Sequence, residues 1–336
     1  MKTTVQNPEL HSEETIACQS QEDAACQHWH LQAKEPISAL QLLADNTDLS
    51  KQYLKTCALK GAVWIQRTNN GKVERLRRLK TELKTGQQLD FYHNKTLLNQ
   101  EPKAPKLVAD FGNYSVWLKP RGMLSQGSKW ADFTALYRWV EMNYQPDNNP
   151  RQCWIVHRLD RATSGLMLLA HSKKMASQLS RLFEENRIKK TYQAWVHGQL
   201  PQQKQTYNSD IDGKTAKSHA LLLEYQTEYN ISKIEVQIES GRKHQIRRHL
   251  SEAGFAIIGD RLYGSSELDE ALNKALHKAM TQTLPSSLPK ALDLQLSAVE
   301  LCLPCNLNEL VTETDNTSNE PCCFQLDNQQ LELLDS

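Results

Sequence analysis

The stretch 154–170, WIVHRLDRATSGLMLLA, sets the hardest condition on what this chain can fold into. Apolar Trp154, Ile155 and Val156 lead into a cluster in which Asp160 lies between Arg158 and Arg161, and a second apolar run fills 166–170. Such a run, bounded by Gly165 and His171, has the pattern of a short buried strand. A charge at the edge of a core is costly unless it is paired. Taken alone, the cluster fits a structural ion pair as well as a functional site. In the functional reading Arg158 and Arg161 lower the pKa of Asp160 and hold it ionised, in a pocket that the adjoining strands help to enclose.

Around this stretch strands and helices alternate. SVWLKP at 115–120 predicts a strand ending at Pro120, and TYQAWV (191–196) and KIEVQI (233–238) alternate as strands. Met175, Leu179, Leu182 and Phe183 recur at helical spacing, predicting an amphipathic helix capped near Ser172. Upstream, two short helices are expected over 37–59, the second capped by Ser50 and stopped at Gly61. Strands follow at 62–67 and 86–93, with a turn at 69–71.

The charge is sharply partitioned. Residues 1–35 hold two Lys against six Asp and Glu, and 301–336 hold no Lys or Arg against seven acids. Residues 37–92 hold ten Lys and Arg against five acids. A basic middle between acidic ends suggests a polyanionic partner, with RNA or DNA the default. With 39% apolar and 24% charged residues, and no apolar run of about 20, the composition is that of a globular protein outside the membrane. The eight cysteines form no spaced framework, so a cytoplasmic protein with reduced thiols is expected.

The segments LSKQYLKTCALKGAVWI and LKTGQQL are spaced as in the S4 RNA-binding domain, which this part of the chain resembles over about 55 residues. That resemblance implies RNA contacts from Lys51, Lys55, Arg67, Arg75, Arg77 and Arg78. A longer ladder runs KPRG (119–122), HRLDRATSGL (157–166), IKKTYQAWVHG (188–198), SGRKHQIRRHL (240–250), GFAIIGDRLYG (254–264) and LDLQLSAVEL (292–301). In its order and residues it resembles the RluA-type pseudouridine synthases, over roughly 107–301.

The resemblance implies an α+β catalytic core with a mixed, largely antiparallel sheet and flanking helices, preceded by the small S4-like α/β domain. The expected organisation is an acidic tail over 1–35, disordered on its Gln/Glu/Ser-rich composition, then the S4-like domain over 36–93 and a linker over 94–106 whose Pro residues favour extended chain. The catalytic domain then covers 107–304 and an acidic tail 305–336. Carried over position by position, the catalytic residues fall on Asp160, Tyr192 and Arg247. RNA contacts are expected from Arg158, His157, Arg161, Lys119, Arg242 and His244. Ser240 stands where Thr is usual, and Ser297 where many relatives have His.

Moving uracil from an N1 to a C5 glycosidic link needs no redox change and no external nucleophile, so no cofactor, nucleotide or metal is expected. An ionised carboxylate suits a nucleophile or base. Attack at C1′, attack at C6 and removal of the 2′ proton remain open. Metal binding finds little support: His244 and His249 are five residues apart, about 140° of helical rotation. Cys302-x-x-Cys305 with adjacent Cys322 and Cys323 lacks a second two-residue spacer. A monomer acting on rRNA or tRNA is expected, with a lean toward large-subunit rRNA. The competing readings are a non-catalytic S4-type RNA-binding protein and a base-releasing N-glycosidase.

Overall fold

The computed structural model describes residues 26–279, 293–304 and 322–327, which divide into two compact units. The first unit takes the chain up to Pro102 together with 126–139. Its elements are β1 (Cys26–Gln32), β2 (Ile37–Ser38), α1 (Ala39–Asn46), α2 (Lys51–Leu59), β3 (Val63–Gln66), β4 (Val73–Arg75), β5 (Glu82–Leu83), β6 (Gln88–Asn94) and α3 (Lys95–Leu98). Ser38 and Ser50 cap α1 and α2 by accepting the amides of Gln41 and Tyr53. The sheet order is β1-β6-β3-β4, with β2 and β5 paired separately.

The acidic composition of 1–35 predicted disorder, but its last part, β1, pairs antiparallel with β6 along the full length of both strands. The reason is alternation: Trp29 and Leu31 pack against the unit's core, and Trp29 stacks on Phe91 at 5.2 Å. Residues 1–25 lie outside the described residues. The expected linker over 94–106 holds helix α3, whose Leu98 is buried.

The segment 126–139 belongs to this unit through a buried carboxylate. Asp132 is fully buried and pairs with Arg75 and Arg77, while Ala131 and Phe133 join the core. Gly61 allows this approach: its φ is +87°, and a Cβ there would lie 2.3 Å from the Asp132 carboxylate.

The second unit takes 103–125 and 140 onward. It contains β7 (Lys106–Asp110) and β8 (Tyr114–Lys119), and α4 (Leu136–Asn143) runs into it. It continues with β9 (Trp154–Ile155), β10 (Ser164–Ala170), α5 (Lys173–Glu184), β11 (Lys189–His197), β12 (Gln205–Tyr207), β13 (Ser218–Gln226) and β14 (Ile231–Ile238). Helices α6 (Gln245–Glu252) and α7 (Ser266–Ala279) follow, then β15 (Leu296–Leu303) and β16 (Cys322–Gln325). Among the described residues the sheet has ten strands, ordered β12-β13-β14-β11-β15-β10-β8-β7, with β16 beside β15 and β9 beside β10. It is the mixed, largely antiparallel sheet expected from the sequence, with β10–β15 as its parallel pair.

At that parallel pair Gly165 has φ +120°, and an added Cβ would meet the Ala298 carbonyl oxygen at 2.2 Å. Strand backbone cannot retreat as a flexible side chain can. Gly165→Ala is expected to cost about 1–3 kcal/mol, read as an earlier urea midpoint with unchanged slope. A midpoint equal to the parent's would disprove the close approach. One residue earlier, Ser164 Oγ lies 2.8 Å from Ser297 Oγ, so the serine at the position where the resemblance implies His is hydrogen-bonded across the parallel pair.

The expectation of reduced thiols fails at one pair. β16 runs antiparallel to β15 with Cys323 opposite Cys302, and the two form a disulfide. Only tertiary register brings them together, since 21 residues separate them in sequence. Cys305 and most of the acidic C-terminal segment lie outside the described residues. Among the described residues no helix is long and apolar enough to cross a membrane.

Candidate active site

Asp160 stands in the turn between β9 and β10, and the backbone around it is held from several sides. Ser125 Oγ donates to the Leu159 carbonyl at 2.6 Å and accepts the Leu159 amide at 3.0 Å. The Thr163 amide closes the turn on the Asp160 carbonyl at 3.1 Å, and the Gly122 amide donates to the Arg161 carbonyl at 2.8 Å. Lys119, the last residue of β8, is fully buried beneath this loop. Its Nζ donates to the carbonyls of Met123 at 2.8 Å and Pro120 at 3.3 Å. It is therefore a loop fastener, not the RNA contact expected of it. Burial pulls its pKa down to about 7, opposed by the nearby Asp160 carboxylate.

The guanidinium that faces Asp160 comes from α6. Arg247 Nη1 is 3.5 Å from Asp160 Oδ2, and His244 Nε2 is 3.8 Å from the same oxygen. Arg158 and Arg161, which the sequence suggested for this task, are exposed. Arg161 donates instead to the Gly122 carbonyl at 3.2 Å. The turn leaves both arginines exposed, and α6 supplies the guanidinium that faces Asp160.

Arg247 is itself fixed by Asp260, through a fork of 2.8 Å from Nε and 2.7 Å from Nη2. Burial raises the Asp260 pKa. The bonds and charge of Arg247, with the amides of Leu262 and Tyr263, outweigh this and hold the carboxyl below its usual range. His244 begins the helix with φ +54°, a left-handed conformation uncommon outside glycine, and its Nδ1 lies 2.9 Å from the Tyr263 hydroxyl. Buried Gln245 pins the preceding loop. It accepts from Ser240 Oγ at 2.7 Å and the Arg242 amide at 3.1 Å, and donates to the Lys217 carbonyl at 2.9 Å.

Tyr192 comes from β11, at a bulge where the register against β15 jumps from Thr191–Glu300 to Tyr192–Ala298. Bulges re-aim side chains, and this one serves the pocket. Burial, and then the charge of Asp160, push the Tyr192 phenol well above its usual pKa, so it is a neutral hydroxyl at any ordinary pH. Asp160, Tyr192, His244 and Arg247, with Arg158 and Arg242 beside them, line a cleft of about 220 Å³. It offers a carboxylate facing a guanidinium, a neutral phenol and cations at the rim.

Other expected contacts are already engaged. His157 Nε2 accepts the Leu168 amide at 2.8 Å and its ring stacks on Phe183 at 4.3 Å, so it braces β10. Burial holds it neutral, with a pKa near 3. Arg75 donates to the carbonyls of Gly61 and Ser128 and pairs with Asp132, which Arg77 also grips. Both arginines neutralise a buried acid and do not form the basic face expected of them. Arg67 pairs with Glu74 at 2.9 Å and Lys51 donates to Gln41 at 2.9 Å, both at the surface. Lys55 and Arg78 are exposed.

Sequence reasoning assigned no role to Ser125, Gln245 or Asp260. The last two stand inside the quoted ladder, and only their spatial partners distinguish them. His249 does not approach His244 as a second ligand, because its ring is bonded to Ser218 Oγ at 2.9 Å and the Ser209 carbonyl at 3.0 Å. Among the described residues Glu300, Cys302 and Cys323 could gather around an ion, but both sulfurs are in the disulfide.

Residues 113–252 match the family model described as RNA pseudouridylate synthase. The chain is 30% identical over 187 residues to the dual-specificity RNA pseudouridine synthase RluA of Escherichia coli O6:H1, covering 49% of this chain and 81% of that one. It is 31% identical to RluA of Salmonella typhimurium, with the same coverage. It is 28% identical over 188 residues to the uncharacterized RNA pseudouridine synthase YhcT of Bacillus subtilis, covering 49% of this chain and 62% of the relative. Two further relatives, from Chloroflexus aurantiacus and Aquifex aeolicus, are spanned over only 38% and 39% of their length.

Proposed function

The chain belongs to the RluA-type RNA pseudouridine synthases, and from that premise we propose that it isomerises selected uridines in structured RNA to pseudouridine. The observation that carries this reading is the Asp160 carboxylate, opposed at 3.5 Å by Arg247 in a cleft that Tyr192 also lines. The reaction breaks the C1′–N1 bond, forms a C1′–C5 bond, takes the proton from C5 and leaves one on N1. Its atoms balance without a cofactor. Asp160 acts as the nucleophile or base, with Arg247 as the guanidinium that faces it. Tyr192 offers a ring face to the base and a neutral hydroxyl as hydrogen-bond donor.

Stacked bases are closed to these side chains, so the uridine enters flipped out. A cleft of about 220 Å³ suits one planar base and is smaller than the roughly 300–1,000 Å³ typical of drug-sized ligand sites. Arg158 and Arg242, which line the cleft, bind flanking phosphates in this reading. The first unit acts as the S4-like RNA-binding module, through exposed Lys55, Arg78 and their neighbours. Large-subunit rRNA is the favoured substrate class, tRNA the other.

Release of tritium from RNA labelled at uridine C5 tests the reading. The full chain should release tritium and no free uracil. Free uracil would mean a glycosidase, and neither product would mean a binding protein. Tyr192→Phe keeps the ring and loses the hydroxyl. Its rate should fall by about 10²-fold or more with RNA affinity nearly unchanged, whereas equal losses in both would make Tyr192 a packing residue.

A further inference from the structure

The first unit carries a second surface with nucleic-acid chemistry, on the face of its sheet turned away from the core. Strand alternation sends Phe91, Leu89, Val63 and Ile65 inward, and Tyr92, Asp90 and Trp64 to the other face. On that face His28 of β1 stacks on Tyr92 of β6, with centroids 4.2 Å apart and planes within 4°. Trp130 meets Tyr92 edge-on at 5.5 Å. Lys129 sets its Nζ 5.3 Å from the Tyr92 ring and 5.7 Å from the Trp130 ring. Trp64 extends the row, donating from Nε1 to the Lys129 carbonyl at 2.8 Å, so the segment carrying Lys129 and Trp130 is held to the sheet.

Three features argue against ordinary packing. The rings stay accessible: the His28 and His30 side chains are 42% and 55% exposed, and Tyr92 and Trp130 are only half-buried. The carboxylate beside the His28–Tyr92 stack, Asp90, accepts from His28 Nε2 at 2.8 Å and His30 Nδ1 at 3.0 Å, which softens its repulsion of a phosphate. The described part of this unit also holds fourteen Lys and Arg against eight Asp and Glu, a charge that favours a polyanion. Aromatic rings beside a free ammonium are the recurring means of holding single-stranded nucleotides without reading their sequence.

We infer that this face binds unpaired nucleotides of the RNA, stacking bases on the His28–Tyr92–Trp130 row while Lys129 takes a phosphate. The inference rests on the RNA-directed reading above, but the face uses none of the residues that line the Asp160 cleft.

The test is a fluorescence-anisotropy titration of a labelled twelve-nucleotide oligouridine against the full chain at several salt concentrations. His28→Ala and Tyr92→Ala should each weaken binding about tenfold with the salt slope unchanged, because a stack is not an ionic contact. Tyr92→Phe should restore the affinity. Lys129→Ala should flatten the log–log slope by about 0.7, the expectation for one phosphate on a single strand. If exposed His28 and Lys129 can both be removed at unchanged affinity and slope, the inference is overturned, whatever happens to Tyr92→Ala. Because no step needs turnover, a parent that binds this way yet releases no tritium would refute the synthase reading and leave the stacking face standing.

Discussion

Asp160→Asn is expected to abolish tritium release, by roughly 10⁴-fold or more, while leaving the fold and RNA affinity nearly intact. The amide fills the same space but supplies neither a nucleophile nor a base. Loss of the charge costs the pocket little structurally. Arg247 keeps its fork to Asp260, and the turn keeps its backbone bonds from Ser125 and Thr163. Single-turnover measurements at saturating RNA, with an equilibrium binding curve alongside, separate the two effects. Appreciable turnover in the amide variant would move the chemistry to another group.

The sequence made the elements of this site legible and its partnerships much less so. Strand alternation, the Ser50 and Ser172 caps and the apolar run after Gly165 appear in the structure where residue pattern put them, because each depends on local periodicity or one side chain's reach to a nearby amide. Ion pairing depends on which elements meet. Arg158 and Arg161 are neighbours of Asp160 along the chain, yet the guanidinium that faces it is 87 residues away on α6. Likewise the basic stretch holding Arg67, Arg75, Arg77 and Arg78 was expected to contact RNA. Two of its arginines are drawn inward by Asp132, an acid that nothing in its local sequence marks as buried.

The same burial changes how the first unit can be tested. Removing residues 1–100 would strip Arg75 and Arg77 from Asp132 and uncover the core around Phe133. A loss of activity after such a truncation would then report an uncompensated acid as much as a missing RNA surface. Charge reversal at exposed Arg78 or Lys55 is the cleaner probe, since neither supports a buried group.

The largest stability effect is expected at the other buried pair. Arg247→Ala leaves Asp260 buried with no cation, and removing one partner of such a pair costs about 3–5 kcal/mol at neutral pH. The loss should depend on pH in a definite direction. In the parent, the Asp260 carboxyl is held below its usual value, so pairing contributes stability above the unfolded carboxylate pKa near 4 and loses it as pH falls through the folded value. In the variant, burial is no longer opposed by Arg247, the folded pKa rises above the unfolded one, and the folded state binds the extra proton. Its stability therefore falls as pH rises through that window. The gap between parent and variant should be widest near pH 7 and narrow steadily toward pH 4, read from urea midpoints at matched ionic strength. Asp260→Asn in the same background should recover part of the loss at pH 7, because the buried charge is gone. It should recover no turnover, because Asp160 still lacks its guanidinium. A gap that stays constant with pH, or an Asn replacement that rescues nothing, would mean that Arg247 matters for its packing and not for the two carboxylates it joins.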